Sequence, residues 1–201
     1  DEVKTRFFRE AEAAGRLDHP NIVTVYDVGD EQDLAYIAMD YLKGKDLTAY
    51  STAKTLLPVN QVWEIIISVA SALDYAHQQH VVHRDIKPGN VLFTESGTPV
   101  ITDFGIAKTV GNNTRLTSAG MMLGSAGYMS PEQAVGKEVD HRSDLYSLGV
   151  LFWEMLTGER LFKGPNDVAT LSQTLNRVIP PLKDFISDAP DALQVIVSKA
   201  L

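Results

Sequence analysis

Over the first 17 positions apolar residues recur at a helical rhythm. Phe7, Ala11, Ala14 and Leu17 are spaced four, three and three residues apart and share one face of an amphipathic helix over residues 1–17, which Pro20 bars from continuing. Two β-like runs follow, Ile22–Val28 and Leu34–Met39, joined by the polar turn Gly29-Asp30-Glu31-Gln32-Asp33, a pattern that predicts a small hairpin. From Val62 the helical steps return at Ile65, Ile66, Val69, Leu73 and Ala76 and predict a helix to about Gln78 with one face on a core. Between Val81 and Ile106 the pattern breaks into short β-branched pieces, Val81-Val82, Val91-Leu92-Phe93 and Val100-Ile101-Thr102, separated by polar, Gly and Pro residues. That reads as loops braced by short strands, a setting that often carries chemistry. Residues 109–130 hold a single charge, Arg115, and four glycines among Ser, Thr and Asn with no period, which predicts a long mobile segment. Leu145–Leu156 is apolar nearly all round and predicts a buried helix, with Ser143 as its N-cap and Gly158 just past its end. Beyond it, short helical stretches alternate with Pro165, Pro180-Pro181 and Pro190.

Composition narrows the class. The chain's 201 residues, 44% hydrophobic and 22% charged, suit one compact domain or two small lobes. Its 26 acidic and 18 basic side chains leave a formal charge of −8, which argues against neutralising nucleic-acid phosphates as its main work. With no cysteine, a disulfide framework, a thiolate zinc site and a cysteine nucleophile are all excluded, and any metal must take oxygen or imidazole ligands. The strongest apolar stretches, Ile65–Leu73 and Leu145–Trp153, fall well short of the ~18–20 residues that cross a bilayer. The start Asp1-Glu2-Val3 is unlike a signal peptide.

The specific chemistry lies in His83-Arg84-Asp85-Ile86-Lys87-Pro88-Gly89-Asn90 followed by Asp103-Phe104-Gly105. Together they resemble the H-R-D-x-K-x-x-N catalytic loop and D-F-G metal motif of protein kinases. The resemblance runs along nearly the whole chain: Met39-Asp40-Tyr41-Leu42 is similar to the hinge between kinase lobes, Ser130-Pro131-Glu132 to the A-P-E motif, and Asp144–Gly149 to the start of the helix beneath the catalytic loop. The phrases Tyr128–Gln133 and Gly105–Lys108 resemble the eukaryotic-like serine/threonine kinases of bacteria in particular.

The resemblance implies an α+β kinase fold. Residues 1–42 would form a partial small lobe (first helix, two strands, hinge) and residues 43–201 a mostly helical large lobe. It implies ATP and Mg²⁺ as cofactors and a protein serine or threonine as phosphate acceptor. Phosphoryl transfer is mainly positioning and charge neutralisation, so the site needs metal-binding oxygens, a cation near the transferred group and an acceptor for the hydroxyl proton. Asp85 fits the proton acceptor, Lys87 the cation, and Asn90 and Asp103 are hard oxygen ligands suited to Mg²⁺. The resemblance assigns Met39 as gatekeeper, the backbone of Asp40 and Leu42 to adenine, Leu92 to the underside of the ring and Glu10 to the helix glutamate that pairs with a lysine. Arg84 is similar to the arginine that receives a phosphorylated activation segment, for which Thr117 and Ser118 are the candidate phosphosites, and Ser125 stands where a threonine is common in that segment. His83 reads as a packed residue against Phe104, and His19, His77, His80 and His141 as surface or packing residues.

The sequence also departs from the family. It has no G-x-G-x-x-G loop and no β3 lysine, and it stops before the arginine expected to pair with Glu132, so the expectation is a kinase domain cut at both ends. An uncovered strand edge and apolar patch in residues 1–43 would favour dimerisation, strand exchange or disorder. Catalysis is expected in the cytoplasm, with any membrane anchor of the parent protein lying outside this chain. A pseudokinase or interaction module is the alternative reading and a small-molecule phosphotransferase the third. The intact Asp85, Asn90 and Asp103 favour the enzyme.

Overall fold

The computed structural model describes residues 2–31, 34–104, 125–176 and 178–201. Among them are six helices and two antiparallel two-stranded sheets, an α+β arrangement gathered on one main core. Helix α1 (Glu2–Gly15) buries Ala11 and Ala14 and packs Phe7 against the same core. It ends two residues earlier than the periodicity suggests, because residues 16 and 17 tighten into bonds three residues back, Arg16 N–H to Ala13 O and Leu17 N–H to Ala14 O.

Strand β1 (Val25–Glu31) pairs with β2 (Leu34–Met39), with Val28 opposite Ile37 and a bulge between Val25 and Asp27. The hairpin predicted at Ile22–Val28 is therefore shifted by three residues, and Gly29, Asp30 and Glu31 belong to the strand rather than to a turn. At Gly29 the Tyr36 side chain opposite lies over the backbone, and a Cβ there would push its ring aside. The apolar residues Ile22 and Val23 are used elsewhere. Ile22 bridges Ile101 in parallel, and Val23 N–H donates to Ile101 O at 2.9 Å, which ties the approach to β1 onto the second sheet.

That second sheet pairs β3 (Val91–Phe93) with β4 (Pro99–Ile101). Helix α2 (Val59–Gln78) turns Val62, Ile65, Ile66, Val69, Ala72, Leu73 and Ala76 inward. It starts three residues before Val62 because Val59, Asn60 and Gln61 are exposed and lie outside its inward face. At its other end His80 takes a left-handed φ of 61°, and Val81 N–H reaches back to Ala76 O at 2.9 Å. This six-to-one closure occupies Val81, so Val81-Val82 is not the predicted strand but the exit from a capped helix.

After the short α3 (Pro131–Ala134), helix α4 (His141–Thr157) runs through the core with Trp153, Leu151 and Met155 almost wholly buried. Its N-cap is Asp140, whose carboxylate accepts from Arg142 N–H at 2.9 Å, and not Ser143, which lies buried inside the first turn. Gly158 ends the helix at φ 72°, as the sequence predicts. Helices α5 (Asp167–Asn176) and α6 (Asp191–Ala200) complete the fold, α6 packing so closely on α4 that a Cβ on Gly149 would lie 2.8 Å from that of Ala200. No helix among the described residues is long and apolar enough to cross a membrane.

Candidate active site

Residues 83–90 leave the capped end of α2 and close into a 3₁₀ turn, Pro88–Asn90, just before β3. Ile86 is fully buried and roots the loop in the core, while Asp85 and Lys87 on either side of it are partly exposed. The Asp85 carboxylate accepts from Lys87 Nζ at 2.6 Å and from Asn90 Nδ2 at 3.1 Å. Asn90 Nδ2 also donates to the main-chain oxygen of Asp85 at 2.8 Å, so one amide holds both ends of the same residue. Lys87 Nζ donates again, to Ser125 Oγ at 3.0 Å. Asp85, Lys87, Asn90 and Ser125 thus form one hydrogen-bonded group around a carboxylate.

The backbone beneath this group is held from far along the chain. Arg84 sits at a φ of 67°, which costs a residue with a side chain energy unless the surroundings impose it. They do: its N–H donates to Asp144 Oδ1 at 2.7 Å, and the preceding His83 N–H donates to Asp144 Oδ2 at 2.8 Å. Asp144 is wholly buried at the start of α4, and its carboxylate also meets His77 Nε2 at 2.7 Å. His77, read from sequence as a surface or packing residue, is therefore part of the support of the loop.

His83 is fully buried, with its ring 4.6 Å from that of Phe104. Nδ1 accepts from Asp85 N–H at 3.1 Å, so Nε2 carries the proton and donates to Thr102 O at 2.9 Å. Burial holds its pKa below the ordinary histidine value, against the pull of the Asp144 charge. His83 is a neutral packing residue, as read from sequence.

Thr102 N–H donates to Asn90 O at 2.9 Å, which joins the end of β4 to the 83–90 loop and sets Asp103 just beyond Asn90. Asp103 also has a left-handed φ, 57°, and its side chain is exposed. It lines a small apolar pocket with Phe104, Met39, Val25 and Ala14. Of the hinge residues, Met39 ends β2 and Asp40 donates its N–H to Thr24 O at 3.0 Å. Leu92 lies in β3 opposite Val100, while Leu42 follows β2; neither lines that pocket. Glu10 and Arg84, expected to serve different partners, face each other at 3.4 Å.

Thr117 and Ser118 lie outside the described residues. The stretch 125–130, the end of the segment predicted to be mobile, is buried throughout. Ser147 Oγ donates to Tyr128 O at 2.7 Å, and Tyr128 Oη donates to the buried carboxylate of Glu154 at 2.5 Å. Burial pushes both the Tyr128 phenol and the Glu154 carboxyl above their ordinary values. At Ser125, only 6% exposed, the hydroxyl is committed to Lys87.

Sequence reasoning did not assign roles to Asp144, His77 or Gln133. A legible signal existed for Asp144, a carboxylate opening an otherwise apolar helix, because a buried charge must find donors. With this geometry in hand, comparison with known proteins is informative. The chain matches the protein kinase domain family over residues 1–198. It is 42% identical over 200 residues to the serine/threonine-protein kinase PrkC of Bacillus subtilis, covering 100% of this chain and 31% of that protein. It is 39% identical to the serine/threonine-protein kinases PknB of Mycobacterium leprae, over 201 residues, and of Mycolicibacterium smegmatis, over 204 residues, in each case covering 98% of this chain and 32% of the relative. The chain therefore spans a little under a third of the length of these curated relatives.

Proposed function

The chain belongs to the protein kinase domain family, and from that premise we propose that the protein carrying it transfers the γ-phosphoryl group of ATP to serine or threonine hydroxyls of proteins, with Mg²⁺ as cofactor. The observation that carries this reading is the Asp85 carboxylate, held between Lys87 at 2.6 Å and Asn90 at 3.1 Å on a loop fixed by buried Asp144. A carboxylate so oriented is suited to take the proton of an incoming hydroxyl. Lys87 balances charge on the transferred group, and its bond to Ser125 keeps it beside Asp85.

Asn90 spends its NH₂ on Asp85, which leaves its amide oxygen to accept, and Asp103 offers an exposed carboxylate one strand away. Two hard oxygen donors completed by phosphate oxygens suit Mg²⁺, which is seldom caged by protein alone. Bound there, the cation would neutralise phosphate charge. In this reading residues 1–42 are small-lobe elements and hinge and residues 43–201 the large lobe, with adenine against Met39, Asp40 and Leu42 on one side and Leu92 on the other. Arg84 would receive phosphate on Thr117 or Ser118. Catalysis would take place in the cytoplasm.

The test is phosphotransfer by the full-length protein. Asp85→Asn removes the proton acceptor and Asp103→Asn weakens the oxygen set, and each should lower kcat by about 10²–10⁴-fold. Turnover near that of the parent in either variant overturns the assignment.

A further inference from the structure

Within the phrase Tyr128–Gln133, Gln133 bonds directly to the loop that carries Asp85 but has no part in the site above. Gln133 is the third residue of α3, whose N-cap Ser130 accepts from Gln133 N–H at 3.4 Å while Gln133 Oε1 accepts from Ser130 N–H at 3.0 Å. That reciprocal box is made equally well by glutamate. The structure contains a reason for the amide: Gln133 Nε2 donates to Arg84 O at 2.9 Å. The amide's orientation is forced by its surroundings, since Ser130 N–H needs an acceptor and Arg84 C=O a donor. A glutamate carboxylate would set a negative oxygen against that carbonyl.

Arg84 O belongs to the peptide plane that leads into Asp85. The other polar end of the plane, Asp85 N–H, donates to His83 Nδ1 at 3.1 Å, and Arg84 N–H is held by Asp144 Oδ1. Gln133 therefore closes the last open corner of a strained turn, φ 67° at Arg84, immediately before the proton acceptor.

We propose that Gln133 is a positioning residue that fixes the Arg84–Asp85 peptide plane, and so the direction of the Asp85 carboxylate, from the segment that ends at α3. The proposal rests on the phosphoryl-transfer reading. It requires an acceptor and a donor together at the end of side chain 133, which an amide supplies and an ionised carboxylate does not.

The experiment compares the full-length protein with its Gln133→Glu and Gln133→Met variants, using Mg-ATP and myelin basic protein as acceptor. Gln133→Glu keeps the capping box, so its thermal midpoint stays near the parent's. Its kcat at pH 8 falls about tenfold, the scale of one lost hydrogen bond facing a like charge, while KM for ATP is unchanged. As pH is lowered toward 5.5 the ratio of variant to parent kcat rises, because the protonated carboxyl donates to Arg84 O and accepts from Ser130 N–H as the amide does. Gln133→Met loses both bonds, and its kcat falls at every pH without recovery. Hydrogen exchange at the Asp85 amide, read by mass spectrometry, quickens in both variants whatever the turnover. A Gln133→Glu variant with parental kcat, a loss that does not recover with acid, or unchanged Asp85 exchange each overturns the proposal. A folded parent protein without phosphotransfer overturns instead the function on which it rests, and exchange at Asp85 still decides the role of Gln133.

Discussion

Replacing Asp144 by asparagine should disable the loop by loosening its backbone, without touching any group that meets substrate. The carboxylate accepts from two main-chain N–H groups, His83 at 2.8 Å and Arg84 at 2.7 Å, and faces His77 Nε2 at 2.7 Å, at a residue with no solvent exposure. An amide of the same shape keeps one oxygen, but its NH₂ must then face a donor, so at least one buried N–H is orphaned. That costs about 1–3 kcal/mol, and weakening the remaining charge-assisted bonds adds about 1 kcal/mol. The expected loss is about 2–4 kcal/mol, or about 4–16 °C in Tm for a domain of this size. With Arg84 less firmly held at its left-handed φ, kcat should fall by more than tenfold, on the order of the penalty for a small misplacement of a catalytic group. Urea unfolding and phosphotransfer kinetics on Asp144→Asn read both quantities. Asp140→Asn, at the partly exposed N-cap of the same helix, serves as control with unchanged kcat. If Asp144→Asn unfolded within about 0.5 kcal/mol of the parent and kept its kcat, the carboxylate would not be what shapes the loop.

Two further outcomes follow from the same geometry. His83 is buried neutral with a depressed pKa, so below about pH 6.5 the unfolded chain binds a proton that the folded chain refuses, and stability must fall with acidification by up to about 1.4 kcal/mol per pH unit from this group. Urea titrations at pH 7.5 and 5.5 should show a smaller drop for His83→Gln than for the parent, and equal drops would contradict the assignment. Ser125→Ala removes the 3.0 Å bond from Lys87 and should lower kcat about fivefold, roughly 1 kcal/mol, whereas Ser125→Thr keeps the hydroxyl and the rate. Equal kcat for Ser125→Ala and parent would show that Lys87 needs no second partner.

The sequence was most legible where period and packing agree. The inward face of α2 follows from spacing alone, as does the burial of α4 from Tyr146 to Leu156, although Leu145, read as part of that buried run, is exposed; β2 and β3 match their predicted bounds. It misled where an apolar pair had two possible partners: Ile22 and Val23 read as part of the hairpin but bond across to Ile101. Ser143 looked like a cap because capping depends on side-chain reach, and Asp140 three residues earlier reaches the same end. The motif residues Asp85, Lys87 and Asn90 were visible as a short local string. Their supports were not, since Asp144 and Gln133 act through bonds spanning 49 to 61 residues that no local pattern encodes.

Those spans bear on synthesis as well as on catalysis. His83 and Arg84 leave the ribosome 61 and 60 residues ahead of the aspartate that pins them. At ordinary translation speeds the nascent chain then carries Asp85 for about 3–12 s before the carboxylate that pins the preceding backbone is made. Until helix α4 has emerged and docked, the His83 and Arg84 N–H groups lack the acceptor they have in the fold, and nothing from α4 offsets the cost of the left-handed φ at Arg84. The geometry of the loop is completed late, when one buried carboxylate meets two amides.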